Sequence, residues 1–358
     1  MNTKWSFGIA VLVLLLGTSS CALFKKKPKV DKTVIVYPAP PDQARFQFLT
    51  KLTSSKDLGT TQSKFSKFIL GSQRPSFLVK PYGLAMRKGK LFVCDNYAGG
   101  MEVLDLDKKK FIYFTPMGKG QMKVPINCYI DEKGYLYVGD CGRMEVLVYD
   151  QDGNFKRSFG EKEKFKPSDV CVAGDKVFVA NSANSKIYVY RNDSTNKLLY
   201  TIPKDDGSAT VPLCMPTNIA VANGKVYASD FGCSKIKVYG VDGEFKDTIG
   251  SAGDLPGQFA KIKGIAVDKE DNIFAVDAAF ENVQIFNGKG QLLMMLGGHY
   301  NGPGGLYLPA KVIVDYDNLK YFQKFVDPAY DLKYLVLVSS QYGPDLINVY
   351  GRIEPRQK

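Results

Sequence analysis

Residues 216–249 contain, in order, Pro216-Thr-Asn-Ile-Ala-Val221, Val226-Tyr-Ala-Ser-Asp230, Lys235-Ile-Lys-Val-Tyr239 and Gly243-Glu-Phe-Lys-Asp-Thr-Ile249. Each run is too short for a globular helix and is rich in β-branched and aromatic residues, which suit a pleated, half-buried surface. Asn, Asp and Gly separate the runs, as tight turns require. The stretch therefore predicts four consecutive antiparallel strands, a small meander.

The same unit recurs along the chain. Starts at Pro81, Pro125, Pro167, Pro216, Lys263 and Pro309 define six copies spaced by 42 to 49 residues. First strands follow as Gly83-Leu-Ala-Met86, Asn127-Cys-Tyr-Ile130, Asp169-Val-Cys-Val172, Asn218-Ile-Ala-Val221, Gly264-Ile-Ala-Val267 and Lys311-Val-Ile-Val314. Second strands close on Asp95, Asp140, Asn181, Asp230 and Asp277, and third strands end near Leu106, Tyr149, Tyr190, Tyr239, Phe286 and Tyr350. Continuous apolar first strands are expected where both faces are covered. A period in this range marks a repeat architecture.

The sixth unit lacks a fourth strand, but Arg45-Phe-Gln-Phe-Leu-Thr-Lys-Leu52, ahead of the first unit, has that pattern. Joining the two chain ends in one sheet removes two free edges and closes a ring. The predicted fold is therefore all-β: a six-bladed β-propeller of four-stranded blades, closed by an N-terminal strand. At 358 residues, with 21 Tyr, 22 Phe and 34 Gly, the chain is large enough for one such domain.

These motifs resemble the NHL-repeat family, whose units pair an Ile-Ala-Val strand after Pro-x-Gly/Asn/Asp with a Tyr-Val-Ala/Ser-Asp strand. Tyr37-Pro-Ala-Pro-Pro-Asp42-Gln-Ala-Arg45 and Tyr321-Phe-Gln-Lys-Phe-Val-Asp327 are similar to a bacterial subgroup of NHL-propeller lipoproteins. Genes of that subgroup often lie near multihaem c-type cytochromes, so the resemblance implies an electron-transfer neighbour. The departure is an insertion of roughly fifteen residues between the first and second strands of the sixth unit, from about Asp317 to Lys333. Insertions in repeat arrays map to loops on one face, which often bind.

Residues 1–20 are a processing signal: Lys4, the apolar stretch Trp5–Leu16, then small residues up to Cys21. The pattern resembles a lipoprotein signal in which Cys21 is acylated, although Thr18 replaces the more usual Leu. The plainer alternative is cleavage without lipid. Ala22 rather than Asp follows the cysteine, which implies outer-membrane anchoring. Residues 21–44, with five Lys and with Pro38, Pro40 and Pro41 favouring extended backbone, read as a basic tether, followed by the propeller over 45–352 and a tail over 353–358. The net charge of the chain is +12. Outside the cytoplasm that excess points to anionic lipid, polysaccharide or an acidic protein rather than nucleic acid, the plainer alternative being solvated Lys on strand faces and turns.

The acids and amide that end the second strands, Asp95, Asp140, Asn181, Asp230 and Asp277, read as turn formers, because such side chains bond nearby backbone amides. A second ring, Asn127, Asp169, Asn218 and Lys311, falls at the channel mouth. There, calcium-dependent lactonases on six-bladed propellers gather Asp, Asn and Glu oxygens. Here one carboxylate stands beside a lysine, so no metal is assigned. Calcium is kept as the cofactor of an alternative hydrolase or lactonase reading. With His299 the only histidine, His-rich zinc sites are excluded, and no Cys-x-x-Cys-His is present for covalent haem.

Cys214 and Cys233 flank the first and second strands of the fourth unit, and Cys128 and Cys141 are similarly related in the second; both are candidate disulfides in an oxidising compartment. The alternative is free buried thiols, as at Cys94 and Cys171. Loops between second and third strands carry Tyr97, Arg143, Phe231, Phe280 and Tyr342, residue types that anchor interfaces, the alternative being that some of them cap the core beneath. The expected protein is a non-catalytic, lipid-anchored, monomeric propeller that binds an envelope protein, with a multihaem cytochrome as the candidate partner.

Overall fold

A computed structural model describes residues 34–59, 74–95, 97, 99–161, 163–204 and 211–356. The signal segment, Cys21 and the tether up to residue 33 lie outside the described residues. The folded unit begins at Ile35.

Six antiparallel sheets form the ring. Blade 4, on which the sequence argument began, has the strands Pro216–Ala222, Lys225–Asp230, Lys235–Gly240 and Phe245–Ile249 in that spatial order. Blades 1, 2, 3 and 5 repeat it, beginning with the inner strands Pro81–Arg87, Pro125–Ile130, Pro167–Ala173 and Ile262–Val267. Each inner strand touches the next, and Pro309–Asp315 of blade 6 returns to Pro81–Arg87. The all-β, six-bladed fold expected from the repeats is the fold observed.

Blade 6 is closed by the N-terminal strand Phe46–Leu52, hydrogen-bonded to Ile347–Pro355. The short strand Val36–Tyr37 pairs outside it as a fifth member, so ordered strands extend past both ends of the expected 45–352 span. Alternation, reset by the register shift between Phe48 and Thr50, then decides which neighbour each side chain meets. Leu49 and Leu52 pack toward Leu91 and Leu104 of blade 1, while Phe46 meets Phe274 of blade 5 and Tyr334 of blade 6 edge-on. The core consists of six apolar clusters, each joining two adjacent blades. No blade buries both faces alone, so the stability of the ring depends on its closure.

The insertion in blade 6 forms two short turns, Leu319–Tyr321 and Gln323–Phe325. It folds back rather than projecting as a free binding loop. Phe322 is buried in the cluster between blades 6 and 1, and Asn318 Oδ1 accepts the Gly89 N–H of blade 1 at 2.7 Å. Gln47 of the closing strand donates to the Phe325 carbonyl and accepts the Asp327 N–H. The inserted residues thus tie the closing strand to blade 1.

Candidate functional site

One end of the ring, the upper face, carries the loops entering each blade and the loops between second and third strands. The residues ending the second strands hold these two sets together. Asp95 accepts the N–H groups of Val79 and Lys80 from the entering loop and of Tyr97 from the following turn. Asp140 does the same for Lys123, Val124, Gly142 and Arg143, and Asp277 for Ala260, Lys261, Ala279 and Phe280. Asn181 takes Lys166 and Ala183, and Asp230 takes Cys214 and Met215. Carboxylates buried under several N–H donors have their lone pairs occupied.

Below this layer the inner strands converge. Lys311 of blade 6 reaches across the channel to Asp169 of blade 3, with Nζ 2.6 Å from Oδ2, and both side chains are buried. Burial pushes the Asp169 carboxyl up, and the Lys311 ammonium pulls it back down. Asp169 also accepts the N–H of Ile219 from blade 4. Asn127 of blade 2 donates to the Ser168 carbonyl and to Asn218 Oδ1 of blade 4. The four polar residues expected at the mouth are therefore brought together as two pairs, with Asn127 Oδ1 and Asn218 Nδ2 buried without a partner among the described residues.

That arrangement does not suit a divalent cation. The single carboxylate is already paired with an ammonium, whose positive charge opposes a metal. Carboxylates cannot be added at the two glycine positions of the ring either. A Cβ on Gly83 would lie 2.5 Å from the Asn127 Cα, and one on Gly264 2.7 Å from the Lys311 Cα. Among the described residues, the donor atoms of Cys214, Asp230 and Cys233 come within 4.8 Å of one another. The two sulfurs, however, are joined as a disulfide, and Asp230 is paired with Lys237 at 3.0 Å.

Below the polar plug a cavity of about 410 Å³, lined by inner-strand residues such as Cys171, Ile219 and Ile265, opens at the opposite end beside Arg87, Lys269 and Tyr316. Within this lining the Cys171 thiol, which burial pushes up, lies against the Tyr129 hydroxyl.

The nominated face residues divide. Tyr97 is 80% exposed and Tyr342 55%, whereas Phe231 and Phe280 are half-buried. Arg143 is engaged within its own blade, donating to the carbonyls of Lys119 and Gln121 and pairing with Glu145. The candidate Cys128–Cys141 disulfide is corrected by the register. Cys128 sits inside its strand opposite Val138 and lies against the Cys94 thiol, while Cys141, in the turn beyond Asp140, donates to the Pro167 carbonyl. Cys94, Cys128, Cys141 and Cys171 are free thiols. His299, on an exposed loop, pairs with Glu281.

Sequence reasoning missed a basic group at the centre of the upper face. Lys263 Nζ lies 3.1 Å from Gln341 Oε1 and over the Tyr82 ring, and Lys80 Nζ lies 5.0 Å from the centre of the Tyr342 ring. Burial, Lys261 and Lys80 hold the Lys263 ammonium down to about 8. The available signal was the lysine near several blade starts, Lys80, Lys123, Lys166 and Lys261, whose backbone N–H binds the second-strand acid or amide.

A family model described as DUF5128, 6-bladed beta-propeller, matches residues 208–290. The chain shares that architecture. Among solved structures it is similar to a gluconolactonase from Xanthomonas campestris, at 16% identity over 86% of this chain and 89% of that one, TM-score 0.54. Virginiamycin B lyase from Staphylococcus aureus is similar at 11% identity over 87% and 89%, TM-score 0.52. A protein of unknown function from Bacteroides thetaiotaomicron is similar at 14% identity over 87% and 76%, TM-score 0.61. At these identities the likeness is one of fold. No curated protein sequence matches the chain.

Proposed function

We propose that the chain is a non-catalytic cell-envelope lipoprotein of the NHL type, lipid-anchored through Cys21 at the outer membrane. Its monomeric propeller binds a protein partner through the upper face, within a complex that includes a multihaem cytochrome. The observation that carries this reading is a contrast on one face. At the channel mouth Lys311 is paired with Asp169 and Asn127 donates to Asn218, while Tyr97 and Tyr342 stand exposed, with Lys80 over the Tyr342 ring. Exposed tyrosines are among the side chains from which interface hot spots are built.

The test is recovery of co-purifying proteins from membranes with the full chain and with Phe231→Ala and Tyr342→Ala. Loss of one specific protein in the variants supports the reading; unchanged recovery in both removes these residues from it. The alternative, a calcium-dependent hydrolase or lactonase at the channel mouth, has the fold likeness to a gluconolactonase on its side. The Lys311–Asp169 pair stands against it.

A further inference from the structure

The lysines at the centre of the upper face are held by no direct ion pair among the described residues. Lys80, Lys261 and Lys263 make no ion pair with a carboxylate among the described residues, and Lys263 feels the other two. Of the carboxylates on this face, Asp95 and Asp277 are occupied by backbone N–H groups, and Glu281 accepts the Leu308 N–H and pairs with His299. Lys80 and Lys263 come from different blades, yet both sit on the same turn of blade 6, one against Tyr342 and the other against Gln341. That turn is fixed to the loop entering its own blade by the Gln341 N–H on the Leu308 carbonyl.

Holding like charges together costs free energy that an anion recovers. The arrangement combines these ammonium groups, an amide side chain and an aromatic ring that is half in water. It provides charge-assisted hydrogen bonds for carboxylate oxygens and apolar surface for the side-chain stems that bear them. A short acidic peptide segment fits both requirements. A free small anion would use the charge and leave Tyr342 uncovered.

We propose that Lys80, Lys261 and Lys263, with Gln341 and Tyr342, form a subsite that receives an Asp/Glu-rich segment of the protein partner. This rests on the reading of the upper face as the binding face and names the chemistry of what docks there.

The test is calorimetric titration of the full chain with hexaglutamate, hexa-galacturonate and inorganic phosphate at low salt. Hexaglutamate is expected to bind. The double variant Lys261→Gln/Lys263→Gln is expected to weaken it about tenfold or more. Lys263→Arg keeps the charge and should retain binding, and Lys133→Gln, on the opposite end of the ring, should leave it unchanged. Equal affinity in wild type and the double variant overturns the subsite. Tighter lysine-dependent binding of the galacturonate or of phosphate overturns the partner class. Partner recovery that survives the double variant but is lost in Tyr342→Ala leaves the binding face standing and removes only this inference.

Discussion

Lys311 of blade 6 and Asp169 of blade 3 are joined across the central channel, 2.6 Å apart and 142 residues apart in sequence. An ion pair withdrawn from water gains little over an apolar pair of similar shape, but losing one partner leaves a bare buried charge. Lys311→Ala is therefore expected to cost about 3–5 kcal/mol. The double change Lys311→Met/Asp169→Asn should cost less than the single, because no uncompensated charge remains. Urea unfolding of the three proteins checks both statements.

The same pair sets the expected response to metal. With Lys311 beside the only carboxylate of the ring, added calcium or chelator should leave the melting temperature of the native chain unchanged. A calcium-dependent rise of several degrees, abolished by chelator, would restore the hydrolase alternative.

Glu102 in blade 1 gives a pH signature. Both of its carboxylate oxygens are buried without a hydrogen-bond partner among the described residues, and burial, with Asp95 nearby, pushes the group up to about 8. A carboxyl raised on folding favours the folded state while it is protonated. Its contribution is thus fully present below the ordinary glutamate value of about 4.3 and is lost as pH rises through about 8. Glu102→Gln should match wild type near pH 4.5 and melt higher by pH 8.5. Parallel melting curves at all pH values would contradict this.

The Cys214–Cys233 bond closes a loop of 19 residues. A loop of that size is worth about 3 kcal/mol through the unfolded state. Cys233→Ser should lose about that much in denaturant unfolding. Peptide mapping should find this one crosslink, with Cys94 and Cys171, whose thiols burial pushes up, unreactive to alkylation until the chain is unfolded.

Closure of the ring is tested at Phe46. Its ring is buried against Phe274 and Tyr334, so Phe46→Ala should destabilise by about 3–5 kcal/mol. Because every blade depends on its neighbours, unfolding should remain a single transition.

The ring was legible because its causes are local and repeated. Inner strands are continuous apolar runs, turns are marked by Asp, Asn and Gly, and Arg45–Leu52 has a fourth-strand pattern with no sheet of its own. The details of the site were less legible because they depend on which blades face one another. No spacing links Lys311 to Asp169, or Cys128 to Cys94, since those contacts arise from the curvature of the ring. Arg143 looked like an interface anchor from its loop position, yet carbonyls of the entering loop are within its reach. One further position followed no residue pattern. Lys237, Gln284 and Asn348 occupy equivalent places in third strands, and each donates to a carbonyl of the loop entering its own blade. Three different side chains perform that role, and Glu102 stands at the equivalent place in blade 1.

The central claim is that a protein partner binds the upper face. The most direct measurement is photo-crosslinking in intact cells, with a photoreactive amino acid placed at Tyr342 or, on the opposite end, at Lys133. The account predicts one discrete crosslinked protein from position 342 and none from 133. Crosslinks from position 133 alone, or none from either, would contradict it.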